Sequence, residues 1–251
     1  MKAIGIIPAR MGSSRFPNKP MATLLGMPMI GHCYHRTNMA PGIEKTYVAT
    51  CDQVIEDYVQ SIGGYAVMTA TTHNRATTRT AEALEIVEQQ TGQRFDIVVM
   101  VQGDEPMTHP DMIAEAVQPM LDDSSIQVVN LLGEIKDTTE FEDRNCIKVV
   151  CDKNSNALYF SREPIPTRLK TRTVPMGKQV CVIPFRRDYL IEYTRLDPTP
   201  LEIAESVDMM RVLEHGMKVY MTPTRHRSYA VDTPEDLERV ERMMRATADK
   251  T

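Results

Sequence analysis

Short apolar runs alternate with stretches of helical hydrophobic spacing through the first half of the chain. Ala3–Pro8 (AIGIIP) is an almost unbroken apolar run and predicts a strand buried on both faces. A helix is predicted over Met29–Ala40, a strand over Thr46–Ala49, and a second helix over Gln53–Ile62, which Gly63-Gly64 stops. Tyr65–Met68 then reads as a strand, Thr80–Gln90 as a helix, Phe95–Gln102 as the clearest buried strand, and Asp111–Leu121 as a helix. This alternation predicts an α/β fold whose mostly parallel sheet is covered on both faces.

The rhythm loosens after about residue 122. β-like runs recur at Ile126–Leu131, Ile147–Cys151, Ala157–Phe160 and Val180–Pro184. The Pro-, Arg- and Thr-rich stretch Glu163–Lys178 has no period and predicts a protruding hairpin or loop. Helices over Leu201–His215 and Pro234–Arg245 bracket a short strand at Lys218–Met221. With no repeat or linker in the pattern, the expectation is one domain over residues 1–251 with an irregular region at about 132–190.

Composition narrows the function classes. With 42% hydrophobic residues the chain has material for a sizeable core. Its net charge of −5 comes without a basic tract, which argues against nucleic acid as a partner. The five cysteines form no C-x-x-C pair, so neither a disulfide nor a zinc framework is expected. The first apolar run meets Pro8 and Arg10 too soon for a signal peptide or a membrane span. A cytoplasmic protein with reduced thiols and no membrane contact is the expectation.

The candidate chemistry begins where the first strand ends. Pro8 to Pro20 reads PARMGSSRFPNKP: Gly12, Ser13 and Ser14 offer amides and hydroxyls to phosphate oxygens, and Arg10, Arg15 and Lys19 add three cations. An isolated stretch of this kind would read as a solvated basic loop. Its place at the carboxyl end of the first strand, where open α/β sheets bind ligands, favours phosphate binding. The strand VVMVQ closes with Gly103-Asp104-Glu105-Pro106, which presents Asp104 as a carboxylate able to hold a metal over phosphates. Gly103 permits a close backbone approach. Asp232, in VDTPEDL, follows the strand-like run Ser228–Val231 and is a second candidate carboxylate, although the same residues make a good helix start. His73, beside Asn74 and Arg75, lies in a loop expected to border the site, whereas His32 and His35 lack metal-pair spacing.

Together, PARxxSxRxPxKP, VQGDEP and VDTPEDLERV resemble the CMP-KDO synthetases, which activate the eight-carbon sugar acid KDO with CTP. The run Ala157 to Pro166 (ALYFSREPIP), Pro200-Leu201-Glu202 and Arg211-Val212-Leu213 extend the resemblance over nearly the whole chain. It implies a Rossmann-like three-layer α/β/α sandwich, and a homodimer built largely from the irregular second half. CTP and an acidic sugar acceptor are the implied partners, Mg²⁺ the implied cofactor, and CMP transfer with release of pyrophosphate the implied reaction. Ala9, Arg10, Gly12, Ser13, Arg15 and Lys19 would then hold the triphosphate, with Arg10, Lys19 and Asp104 closest to the reacting phosphate. Thr77, Arg79, Gln102 and Gly103 would serve the nucleoside, and Asp104 and Asp232 the metal. His73, Arg162, Gln179, Glu202 and Glu205 would face the acceptor.

The resemblance thins on the acceptor side. Ser-Gly-Thr-Asp-Arg of the family stands here as Arg75-Ala76-Thr77-Thr78-Arg79, His-Ile-Gly-Ile-Tyr as Gln179-Val180-Cys181-Val182-Ile183, and Leu-Glu-Gln as Leu201-Glu202-Ile203. Sites that hydrogen-bond hydroxyls select through their own polar groups, so these changes leave open a related 2-keto sugar acid or a small phosphonate as acceptor. A glycosyltransferase would show Asp-x-Asp, and a sugar-1-phosphate nucleotidyltransferase a loop resembling G-x-G-T-R; neither pattern is present. A non-catalytic CTP-binding module is the rival from another class.

Overall fold

The computed structural model describes residues 1–12, 15–170 and 175–248 of the 251-residue chain. Its first half runs β1 (Ala3–Pro8), a 3-10 turn at Lys19–Met21, the two-residue strands β2 (Thr23–Leu24) and β3 (Met27–Pro28), and α1 (Met29–Asn38). There follow β4 (Ile43–Thr50), α2 (Gln53–Ser61), β5 (Tyr65–Met68), α3 (Ala76–Thr91), β6 (Ile97–Val101) and α4 (Pro110–Asp122). The second half adds β7 (Val129–Glu134), α5 (Thr138–Glu142), β8 (Lys148–Cys151), β9 (Ala157–Ser161), β10 (Gly177–Val180) and β11 (Val182–Arg186). It ends with α6 (Arg187–Tyr193), α7 (Pro200–Glu205), α8 (Asp208–Glu214), β12 (Tyr220–Pro223) and α9 (Pro234–Ala248).

The first sheet has the order β11-β6-β1-β4-β5, parallel except for β11, which runs antiparallel to β6. Every residue of β1 and β6 is buried, as their continuous apolar runs require. On one face Ile4, Ile6, Val98 and Met100 pack with Ala81, Leu84 and Val87 of α3; on the other Ile7, Val99 and Val101 pack with Ile30, Val59 and Ile113 of α1, α2 and α4. The three-layer α/β/α arrangement follows. β1 leads outward to β4 and β5, and the chain then crosses back to β6 on the other side of β1. The loops after β1 and β6 therefore meet at the switch point of the sheet, where such folds bind ligands.

A second five-stranded sheet, β12-β7-β10-β8-β9, is antiparallel except for the β12–β7 pair. The Val128–Phe185 bridge joins it to β11, and the Asn156–Tyr220 bridge ties its β9 end to β12. Here the structure corrects three sequence expectations. The run Val180–Pro184 is not one strand, because the chain changes sheets at Cys181: β10 pairs with β7 and β8, whereas β11 pairs with β6. Leu201–His215 is two helices, divided at Ser206, whose left-handed φ of 53° ends α7. Ser228–Val231 forms no strand. The helices α5 and α6, of five and seven residues, are too short for a period to reveal them. No helix of the described residues is long and apolar enough to cross a membrane, and the five cysteines are free thiols.

Glu105, only 5% exposed, ties three segments behind the switch point. Its Oε1 accepts the Cys181 amide at 3.2 Å, where the chain changes sheets, and its Oε2 is hydrogen-bonded to the Ser228 hydroxyl. Burial pushes its carboxyl above the ordinary carboxylate range, and these two hydrogen bonds only partly oppose the shift. The folded state thus favours the protonated acid. Its contribution to stability is complete below the unfolded pKa and is lost as pH rises through the folded one. Glu105→Gln keeps an acceptor for Cys181 and a polar partner for Ser228 but cannot ionise. In urea denaturation across pH, its stability relative to the native chain is expected to grow as pH rises above the carboxylate range; parallel curves would refute this.

Gly5, at the centre of β1, is where α1 seats: a Cβ there would lie 2.9 Å from Thr37 Cγ2 and 3.2 Å from Thr46 Oγ1. Gly5→Val is expected to cost about 1–3 kcal/mol in the same denaturation assay, the usual penalty of overpacking a filled core.

Candidate active site

The loop after β1 is held open by contacts that the sequence motif does not announce. Ala9 N–H bonds to Ala49 O at 2.9 Å, and Met11 N–H donates to Asp52 Oδ2 at 2.8 Å. Asp52 is the N-cap residue of α2, but its side chain makes no cap bond there. It anchors the phosphate-loop candidate instead, a role its helix-start position concealed. Gly12 is exposed, with open space where a Cβ would stand. Asn18 takes the left-handed conformation at φ 60°, which asparagine tolerates, and the chain turns there into the 3-10 turn carrying Lys19. Ser13, expected at the triphosphate, lies outside the described residues, as does Ser14.

Lys19 is the centre of the site. Its Nζ lies 2.7 Å from Asp104 Oδ2, 3.3 Å from Asp232 Oδ1 and 2.9 Å from the Val231 carbonyl. The side chains of Lys19 and Asp232 are only 13% and 15% exposed. Burial pulls the Lys19 ammonium down, yet the charges and hydrogen bonds of Asp104 and then Asp232 outweigh it, and the group stays above its ordinary pKa. Arg15 joins from outside, with Nη2 at 3.0 Å from Asp232 Oδ1 and Nη1 at 2.5 Å from Asn145 Oδ1. Asp232 is not the cap of α9: Asp236 accepts the Asp232 and Thr233 amides, each at 3.1 Å, and leaves the Asp232 carboxylate free for the cations.

The two carboxylate-bearing loops are joined directly, because Val231 N–H donates to Asp104 O at 2.9 Å. Gly103 is buried, and a Cβ there would come within 3.3 Å of the Pro8 carbonyl, so glycine lets the loops after β1 and β6 approach. Gln102 is half-buried beside it, its amide bonded to Cys181 O at 3.1 Å. Arg10, exposed, reaches the His73 carbonyl at 3.3 Å and brings the loop before α3 to the same edge. Arg79 is buried, with Nη1 on Thr69 Oγ1 at 2.5 Å and Nη2 without a partner among the described residues.

Several expected ligand contacts are instead spent inside the protein. The hydroxyl of Thr77 is committed to Asp208 at 2.5 Å, so it serves the packing of α8 and not a nucleoside. Glu202, fully buried, forms a bidentate pair with Arg211 at 2.7 Å for each contact, and cannot face an acceptor. Glu205 accepts from Tyr159, Ser161 and the Arg162 amide at 3.1, 3.2 and 2.8 Å, and its carbonyl takes Arg162 Nε at 2.6 Å. It therefore positions Arg162 and is no free ligand itself. His73 has both ring nitrogens engaged, with Thr78 at 3.0 Å and Glu82 at 2.5 Å. Gln179, half-buried, donates to Asn130 Oδ1 at 2.6 Å. Asp52, Asn145 and Ser228 are polar residues in ordinary turn contexts that nothing in their local pattern marks, whereas Glu105 lies within the VQGDEP motif, where only its neighbour Asp104 draws a role from sequence.

A basic loop and two converging carboxylates at the switch point of the sheet fit a nucleotide-handling enzyme, and the relatives of the chain agree. The family model described as cytidylyltransferase matches residues 4–219. A 3-deoxy-manno-octulosonate cytidylyltransferase of Geobacter metallireducens is 40% identical, covering 96% of each chain, and that of Pelobacter propionicus is 38% identical, covering 100% of each. Among solved structures, a CMP:2-keto-3-deoxy-manno-octonic acid synthetase complexed with CTP aligns at a TM-score of 0.89 with 36% identity, over 98% of this chain and 100% of that one. A 4-diphosphocytidyl-2C-methyl-D-erythritol synthase of Anaerococcus prevotii, at 11% identity and a TM-score of 0.63 over 97% of this chain and 99% of that one, shares the fold alone. The chain belongs to the cytidylyltransferase family, on its 3-deoxy-manno-octulosonate cytidylyltransferase branch.

Proposed function

We propose that this protein transfers CMP from CTP to 3-deoxy-manno-octulosonate, releases pyrophosphate, and uses Mg²⁺. One observation carries the reading: cations from the loop after β1 (Arg15 and Lys19) meet carboxylates from the loops after β6 and β12 (Asp104 and Asp232) around a single point. The names of the relatives supply the acceptor, and the CTP-bound structure supplies the nucleotide.

The donor set fits the ion. Two hard carboxylate oxygens converge on one cationic seat, the arrangement Mg²⁺ takes when phosphate oxygens and water complete its shell. When bound there by Asp104 and Asp232, it supplies charge neutralisation to the phosphates. Arg10, Arg15 and Lys19 gather the triphosphate, and the open backbone at Gly12 lets its oxygens approach. Arg79 and Gln102 lie toward the nucleoside, and Arg162, braced by Glu205, lies toward the acceptor carboxylate. The acceptor hydroxyl oxygen attacks the α-phosphorus in line and gives up its proton to solvent as the new P–O bond forms. The α–β phosphoanhydride bond breaks, and the pair of electrons leaves with pyrophosphate. Positioning and charge stabilisation carry such a reaction without a covalent enzyme intermediate. A homodimer is part of the proposal, supported by Leu158 and Leu169, which stand 61% and 91% exposed in the irregular half.

A second acceptor is favoured by one feature, the loss of polar groups on the acceptor side. Thr78 is spent on His73 and the Arg75 carbonyl, and Ile203 stands 64% exposed where the family carries glutamine. A related 2-keto sugar acid would match that change. Pyrophosphate release from CTP and Mg²⁺ with KDO, 8-amino-KDO, a sialic acid and a small phosphonate separates the readings. The highest kcat/KM is expected with KDO, and a higher value with another acid reassigns the acceptor. CTP binding without release on any acid supports the non-catalytic module. Asp104→Ala is expected to lower kcat by about 100- to 1,000-fold or more; near-normal transfer by that variant would exclude the mechanism.

A further inference from the structure

We propose that His109, Asp111 and His226 form a second cation site, suited to a late first-row divalent metal of the zinc class and separate from the Asp104–Asp232 pair. The ligand atoms of these three side chains lie within 4.8 Å of one another. They come from two distant segments. His109 and Asp111 open α4, a few residues after Asp104; His226 belongs to the loop between β12 and α9, a few residues before Asp232. The two imidazole rings stack with centroids 4.2 Å apart and planes 7° from parallel, and Asp111 Oδ2 lies 3.5 Å from His109 Nδ1.

The donor set sets the class of metal. Two imidazole nitrogens and one carboxylate are the ligands of zinc-class ions, while Mg²⁺ prefers oxygen alone. Three protein ligands leave a further position for water, as in open sites. Bringing the donors to about 2.0–2.1 Å from one ion needs only side-chain rotation out of the ring stack. All three residues are at the surface, with side chains 47%, 59% and 31% exposed in chain order, so no tight packing resists that rotation, which costs the bond by which His109 Nδ1 accepts the Asp111 amide at 3.2 Å as the cap of α4. A carboxylate stands nearby: Glu115 Oε2 accepts the Thr224 hydroxyl at 2.6 Å, and its Oε1 lies 3.8 Å from His226 Nε2, beyond hydrogen-bond reach but close enough to back the imidazole once the ring turns toward an ion. The N-terminus of α4 carries roughly half a positive charge, which opposes a cation, but Asp111 and Glu115 bring two negative charges to the same place.

An ion held there would cross-link the two loops that carry Asp104 and Asp232. The same loops are already joined by Val231 to Asp104 and by Ser228 to Glu105. Occupancy adds a third tie, outside the nucleotide cleft, and stabilises the folded arrangement of both carboxylates.

The test uses the full chain, stripped with chelator and titrated with Zn²⁺ by calorimetry and with Co²⁺ by visible absorption. Saturable Zn²⁺ binding is expected that weakens at least ~10- to 100-fold in His226→Ala and in Asp111→Asn. Asp104→Asn and His215→Ala, a surface histidine elsewhere, are expected to keep native affinity. Zn²⁺ is expected to raise the Tm of the native chain and leave that of His226→Ala unchanged, because only a bound ion shifts the folding equilibrium. A ring stack that serves packing alone would change the Tm of His226→Ala without any metal dependence. Native affinity in His226→Ala, no saturable binding by the native chain, or loss confined to Asp104→Asn would each overturn the proposal.

Discussion

The burial of one ammonium group constrains the whole ligand-facing edge. Lys19 Nζ sits 2.7 Å from Asp104 and 3.3 Å from Asp232, with its side chain only 13% exposed. An unpaired charge at such depth is costly, whereas a charge met by partners and hydrogen bonds is tolerated. The sequence separations are large, 85 residues to Asp104 and 213 to Asp232, so the pairing can be satisfied only when three loops are brought together. Each loop leaves the carboxyl end of a strand. The order β6-β1 in the first sheet sets two of them side by side, and the β12–β7 pairing brings the third from the second sheet.

A second buried lysine shows what the carboxylates contribute. Lys148, fully buried, donates to the carbonyls of Asp143, Cys146 and Arg162 at 2.7, 2.6 and 2.5 Å, with no carboxylate among the described residues bonded to it. Burial pulls its pKa below the ordinary value, opposite to Lys19. The difference is one of partner charge. Carbonyl dipoles satisfy hydrogen bonds, and two carboxylates also supply counter-charge. Lys148 therefore organises a loop cluster and the backbone of Arg162. Lys19 has its charge compensated in place by Asp104 and Asp232.

The parts of this arrangement legible in the sequence are those with a local signature. β1 and Tyr65–Met68 are found at their predicted bounds because each is a short apolar run closed by proline, glycine or polar residues. Asp104 and Lys19 were found because each lies in a motif at the end of a buried strand. The second half resisted because its elements are set by partners and not by periodicity. Cys181 divides two strands only because β6 and β7 compete for neighbouring stretches of one chain. Ser206 breaks a helix where Asp208 turns to take the Thr77 hydroxyl and amide, an interaction spanning 131 residues.

The acceptor side illustrates the same limit in charge. Glu202 and Glu205 read as sugar ligands from their motif, but a carboxylate aimed at an anionic acceptor would repel it. The fold resolves that conflict by spending both acids internally: Glu202 on Arg211 and Arg75, Glu205 on Tyr159, Ser161 and the Arg162 backbone. With their charge compensated and their oxygens occupied, what they contribute is rigidity. Arg162 is held through its amide, its Nε and its Nη1, the last bonded to the Arg144 carbonyl at 3.0 Å. A guanidinium fixed at two of its nitrogens, on a backbone amide held at a third point, has little rotamer freedom left to lose, so any anion it met would find a pre-organised partner. An acid thus fixes the direction of a neighbouring base, a relation visible only once residues 43 apart in sequence are seen to share hydrogen bonds.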